Sequence, residues 1–110
     1  MLSGYNGYMK KSRILAPREE LAEFCRRNQI RRLSFFGSVL RQDFGPDSDV
    51  DVLVEFEPGA VVGFFKLHDI EVELSCLLGG RKVDLHTPAG LSRYIRDRIL
   101  AEAEVQYDAA

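Results

Sequence analysis

The hydrophobic and polar positions of this chain change period several times, and each change marks an element. From Pro17 to Asn28 the period is helical: Leu21, Phe24 and Cys25 share a face, Glu19 and Glu20 lie in the first turn, and Arg26 and Arg27 lie in the last. These charges complement a helix dipole, Pro17 suits a first helical position, and Asn28 makes a stop. Ile30 to Phe36 (IRRLSFF) alternates and then turns wholly apolar, which predicts a strand feeding a tight turn at Gly37. Ser38 to Arg41 fits a single helical turn, and Gly45-Pro46-Asp47-Ser48 is turn chemistry by composition.

Val50 to Phe56 carries valines at 50, 52 and 54, with Asp51, Leu53 and Glu55 on the opposite face, and Pro58-Gly59 ends this strand period. Val62 to Leu78 returns to the helical period through Phe64, Leu67, Ile70 or Val72, Leu74, Leu77 and Leu78, with Gly79-Gly80 as the C-cap. At helical spacing Phe64 and Phe65 are expected in the core. Lys82 to His86 (KVDLH) reads as a short third strand. Past the breakers Pro88 and Gly90, Leu91 to Ala103 predicts an amphipathic helix through Leu91, Tyr94, Ile95, Ile99 and Leu100, and Val105 to Tyr107 a last extended piece. This order predicts an α/β (α+β) domain in which helices cover a small mixed sheet.

Composition sets bounds on that picture. At 110 residues and 12.5 kDa the chain holds one small core, assigned to residues 13–110. Residues 1–12 (MLSGYNGYMKKS) show no periodicity and read as a flexible N-terminal arm. Fifteen Lys and Arg against seventeen Asp and Glu give a net charge of −2, which argues against a general nucleic-acid-coating protein and predicts no direct nucleic-acid partner. The charge is uneven. Eight of the fifteen basic residues lie at or before Arg32, whereas Gln42 to Phe65 has no Lys or Arg and six acids. Cys25 and Cys76 sit in helix-like patterns and read as small core residues of a reduced protein. No apolar run reaches the ~18 residues of a membrane span, so the expected location is cytoplasmic, with no membrane partner.

The acidic stretch is where chemistry enters. On a strand, residues i and i+2 project from one face about 6.6 Å apart, so Asp49 and Asp51 converge. Two such carboxylates repel unless a cation lies between them or one takes up a proton. An oxygen-only donor set favours Mg²⁺ or Mn²⁺ over zinc, and paired ions of this kind serve in-line displacement at phosphorus. Asp84, between apolar neighbours on the third strand, reaches the same cluster if that strand lies beside the second. Standing alone, Asp84 would equally suit an edge-strand acid facing water. His68 and His86 are too isolated to suggest a zinc centre. Gly37 permits a tight turn in which the following N–H groups and the Ser38 hydroxyl approach phosphate oxygens, and Arg41, one turn on, can support them. Gly-Ser alone is a common turn; joined to the aspartates at this spacing it becomes specific.

GSVLRQDFGPDSDVD resembles the signature of the DNA polymerase beta-type nucleotidyltransferase superfamily: Gly-Ser, a turn, Asp-x-Asp, and a third Asp on a later strand. More narrowly, the GSxxR form, SDVDVLVEF, the helix ending LLGG and KVDL resemble the minimal nucleotidyltransferase (MNT) family, the MntA-like antitoxins of HEPN/MNT toxin–antitoxin pairs. The resemblance spans about Arg32 to Tyr107. It implies that Asp49, Asp51 and Asp84 bind the catalytic metals, that Asp84 also acts as general base, and that Gly37 and Ser38 bind the nucleotide triphosphate, with Arg41 read from its position either as a further phosphate support or as the partner of a local acid. It further implies transfer of AMP from ATP, with Mg²⁺ or Mn²⁺ as cofactor, to a hydroxyl of a HEPN-domain toxin, expected to be a tyrosine. Two other readings stay open: a non-catalytic HEPN-binding module, and a nucleotidyltransferase that modifies a small molecule or RNA with an accessory subunit. A homo-oligomer is also left open.

Overall fold

The computed structural model describes residues 16–41, 44–45 and 47–109. The arm expected at residues 1–12 therefore lies outside the described residues, as does Pro46 of the expected turn. The first helix, α1, runs Arg18–Arg27 and buries Leu21, Phe24 and Cys25, the three residues its period selects. Pro17 is not its first helical residue but its extended cap, and the Pro17 carbonyl accepts the first helical hydrogen bond from the Leu21 N–H at 2.8 Å. After Gln29, which takes a positive φ of 57°, the chain enters β1 (Ile30–Phe36). A short 3-10 turn at Gly37–Leu40 follows, and then β2 (Val50–Phe56).

The second helix, α2, spans Phe64–Leu77 and ends in a Schellman arrangement: the Gly80 N–H donates to the Ser75 carbonyl at 2.8 Å and the Gly79 N–H to Cys76 at 3.2 Å. Both glycines have φ near +80 to +90°, the left-handed values this stop requires. The chain then returns as β3 (Val83–His86), turns through Pro88–Gly90, and closes with α3 (Arg93–Glu102) and β4 (Glu104–Asp108).

The strands form one mixed sheet in the order β3-β2-β1-β4. β1 pairs antiparallel with β2 and β4, whereas β2 and β3 are parallel and joined by the α2 crossover. Register gives the sheet two unlike faces. Leu33 opposes Val54, Phe35 opposes Val52, and Val50 opposes Val83; all of these are buried with Leu21, Phe24, Ile70 and Leu74 in one core beneath α1 and α2. A register shift between Ile30 and Arg32 returns Ile30 to that same core. Among the described residues, the other face holds a smaller apolar cluster of Phe36, Leu53 and Leu91, with Ile99 and Ala103 packed against it.

Three expectations about burial need correction. Phe64 and Phe65 are 90% and 91% exposed, because the buried stripe of α2 begins only at Ile70 and its first turn has no cover among the described residues. Cys76 is exposed, unlike buried Cys25, because it points away from the side of α2 that carries Ile70 and Leu74. The last helix starts at Arg93, capped by the Ser92 hydroxyl, and buries none of its residues fully; Tyr94 is 83% exposed, and Leu91 is buried ahead of the helix. No helix among the described residues is long and apolar enough to cross a membrane.

Candidate active site

The site is assembled where β1 ends and β2 and β3 begin. Phe36, the last residue of β1, opposes Asp51 of β2, and Asp51 in turn lies beside Asp84 of β3. Two features favour glycine at position 37. Its φ of 75° is left-handed, and a Cβ at this position would run into Asp51 Oδ2. Val39, fully buried in the main core, anchors the 3-10 turn, and the Arg41 N–H closes it on the Ser38 carbonyl at 2.9 Å. The Ser38 hydroxyl donates to the Asp49 carbonyl at 3.2 Å and so ties the Gly-Ser turn to the start of β2. The Val50 N–H donates to the Lys82 carbonyl at 2.9 Å, which aligns the starts of β2 and β3.

The structure brings Asp51, Asp84 and His86 together, with one donor atom from each within 4.8 Å of the others. His86 Nε2 is 3.3 Å from Asp84 Oδ2 and 3.8 Å from Asp51 Oδ1. Asp49 lies just ahead of β2 and outside that trio; its Oδ2 is 3.9 Å from exposed Lys82 Nζ. Burial pushes the Asp51 carboxyl above the ordinary carboxylate range, and the charge of Asp84 adds to this. His86 pulls it back, Asp49 adds a smaller upward push, and Arg41 opposes it. A raised carboxyl between two further carboxylates marks a place where added positive charge is favourable. Two carboxylates with a third nearby form an oxygen-rich set that fits a hard divalent cation, and Asp51 and Asp84 could hold it with Asp49 beside them.

Against this cluster opens a cavity of about 350 Å³ lined by Phe36, Gly37, Arg41 and Asp51 on the sheet side and by Arg98, Ile99 and Glu102 of α3. Its volume lies in the range of small-ligand sites. Sequence reasoning selected Gly37, Arg41 and Asp51 but missed Arg98 and Glu102, an exposed pair one turn apart (Nε to Oε1 3.7 Å) that reads locally as an ordinary solvated helix face. It also set His86 aside. The signal for His86 was present: it lies two residues beyond Asp84 on a strand, the same spacing that joins Asp49 to Asp51.

Known proteins share this arrangement of elements. The nucleotidyltransferase domain family matches residues 18–105. The protein adenylyltransferase MntA of Thermococcus cleftensis is 37% identical over 92 residues, which cover 84% of this chain and 87% of that protein. A solved minimal nucleotidyltransferase structure has a TM-score of 0.64 at 36% identity, over 78% of this chain and 85% of that one. A crystal structure of a toxin–antitoxin with AMP-PNP shares the fold alone, with a TM-score of 0.66 at 16% identity over 84% of this chain and 73% of that one.

Proposed function

This chain belongs to the nucleotidyltransferase domain family, and we propose that it is a metal-dependent adenylyltransferase that moves AMP from ATP onto a tyrosine hydroxyl of a HEPN toxin, acting as its antitoxin. The observation that carries this reading is the register that sets Asp51 beside Asp84, with Gly37 turned against Asp51 at the mouth of the cavity. Similarity to an MntA adenylyltransferase supports the choice of chemistry.

In this reading the turn at Gly37 and Ser38, with Arg41, receives the triphosphate. Asp49, Asp51 and Asp84 hold Mg²⁺ or Mn²⁺. When bound, the cation offsets charge on the triphosphate and on the displacement's transition state. Asp84, whose side chain is 54% exposed, is open to an incoming hydroxyl and accepts its proton. The hydroxyl oxygen then bonds to the α-phosphorus, the bond from that phosphorus to the bridging oxygen breaks, and pyrophosphate leaves.

Incubation with ATP labelled at the α-phosphate, Mg²⁺ and extract of the source cells tests this. One protein band should take up label, and Asp49→Asn combined with Asp51→Asn should abolish it, a loss of about 10³-fold or more for removal of a metal site worth several kcal/mol. Labelling that survives the double substitution rejects the catalytic reading. A second reading, neutralisation by contact alone, draws on exposed Val61, Phe64 and Phe65, which follow the end of β2 remote from Asp51. It expects the double variant to suppress the toxin as well as the wild type does.

A further inference from the structure

The chain carries a nitrogen donor where the carboxylate chemistry alone does not call for one. His86 is the last residue of β3 and shares a sheet face with Asp84, two residues before it. Its Nε2 sits 3.3 Å from Asp84 Oδ2 and 3.8 Å from Asp51 Oδ1. In a six-coordinate ion with bonds of about 2.1 Å, adjacent donors are about 3 Å apart and opposite donors about 4.2 Å. The 3.3 Å spacing is close to that of adjacent donors, and the 3.8 Å spacing is shorter than that of opposite donors, so one ion can reach all three groups after small side-chain shifts. The ring is also held: it packs edge-to-face with Phe36, centroids 5.3 Å apart at 64°, and the side chain is only 30% exposed. By contrast His68, on α2, is exposed and belongs to no such group among the described residues.

We propose that His86 is a direct ligand of the cation held by Asp51 and Asp84, and that this nitrogen biases the site from Mg²⁺ toward Mn²⁺. The inference rests on the metal-dependent reading above. The chemical reason is donor softness: carboxylate oxygens suit Mg²⁺ and Mn²⁺ alike, whereas imidazole adds affinity for transition ions and little for Mg²⁺. A histidine that merely positioned Asp84 through a hydrogen bond would support both ions equally.

The untagged full chain is loaded with Mn²⁺ and inorganic tripolyphosphate, a nitrogen-free probe, and pulsed electron paramagnetic resonance reads nitrogen coupled to the bound ion. Coupling is expected in the wild type and in His68→Ala and should vanish in His86→Ala. In parallel calorimetric titrations, His86→Ala should weaken Mn²⁺ about 10–100-fold while changing Mg²⁺ affinity by less than about threefold. If His86→Ala does not fold by circular dichroism, His86→Gln, which keeps a side chain of similar reach but removes the imidazole, takes its place with the same expectation. Bound Mn²⁺ without nitrogen coupling, or equal losses for the two ions, overturns the proposal and leaves the adenylyltransferase reading standing. Failure of the wild type to bind either ion overturns both.

Discussion

On one face of the sheet, Leu33, Phe35, Val50, Val52, Val54 and Val83 are sealed under α1 and α2. On the other, Phe36, Leu53 and Leu91 form a small cluster, α3 buries none of its residues fully, and Asp51, Asp84 and His86 gather beside a cavity. The same strands supply both faces, since successive residues alternate between them. The contrast teaches how a chain of this size keeps a charged site. Apolar burial concentrated on the closed face holds the sheet, so the open face can carry like charges whose proximity is unfavourable and helps raise the Asp51 carboxyl.

Four substitutions sharpen or break this contrast, taken from the largest expected effect to the smallest. Asp84→Asn, on the open face, should lower the transfer rate about 10²–10⁴-fold through loss of a general base. ATP affinity by calorimetry should suffer much less; equal losses would assign Asp84 to the cation alone. Leu74→Ala, beneath the closed face, should cost about 2–5 kcal/mol in urea denaturation by leaving a cavity at a fully buried position. Residual transfer by the folded fraction should stay near the wild-type value, and a stability loss below 1 kcal/mol would mean that this face is not the main source of stability. Gly37→Ala combines a left-handed φ with a clash against Asp51 and should cost about 1–2 kcal/mol while weakening ATP binding. Unchanged melting and binding would show that the turn relaxes freely.

The smallest effect tests the site's own cost. Because the folded carboxyl of Asp51 is raised, the folded state holds its proton more tightly than the unfolded chain does, and stability is lost as pH rises from the ordinary carboxylate value through the folded one. Asp51→Asn should therefore melt slightly above the wild type at pH 7 without divalent ions, by about 1–4 °C, and about equally with it at pH 3. Added Mn²⁺ should stabilise the wild type and not the variant. A variant less stable than the wild type at pH 7 would mean that Asp51 supports the fold.

Much of the fold was legible because local period reports local geometry. β1 and β2 have the bounds that their alternation predicts, α1 buries Leu21, Phe24 and Cys25, and Gly79-Gly80 stops α2. The misplaced residues share a cause. A period says which side chains share a face, but not whether another element covers that face, so Phe64, Phe65 and Tyr94 fitted helical stripes and are exposed. Within the candidate site, the place of Asp51 followed from the strand period and the Gly37 turn from its place after an apolar run, whereas Asp49, expected on the same strand, lies just ahead of it and outside the trio. His86 and the Arg98–Glu102 wall of the cavity did not follow, because their significance depends on neighbours distant in sequence.

The sequence by itself determined the elements, the alternating valines that seal one face, a glycine at the turn after the first strand, and an aspartate on the opposite face of the second. Tertiary structure alone decided which strand lies beside β2 and in what register. A parallel pairing is non-local: α2 separates its two strands, and a shift of one residue would turn Asp84 and His86 to the buried face. Because Val50 faces Val83 within the closed core, apolar packing fixes that register, and the same packing sets Asp84 beside Asp51 on the open side.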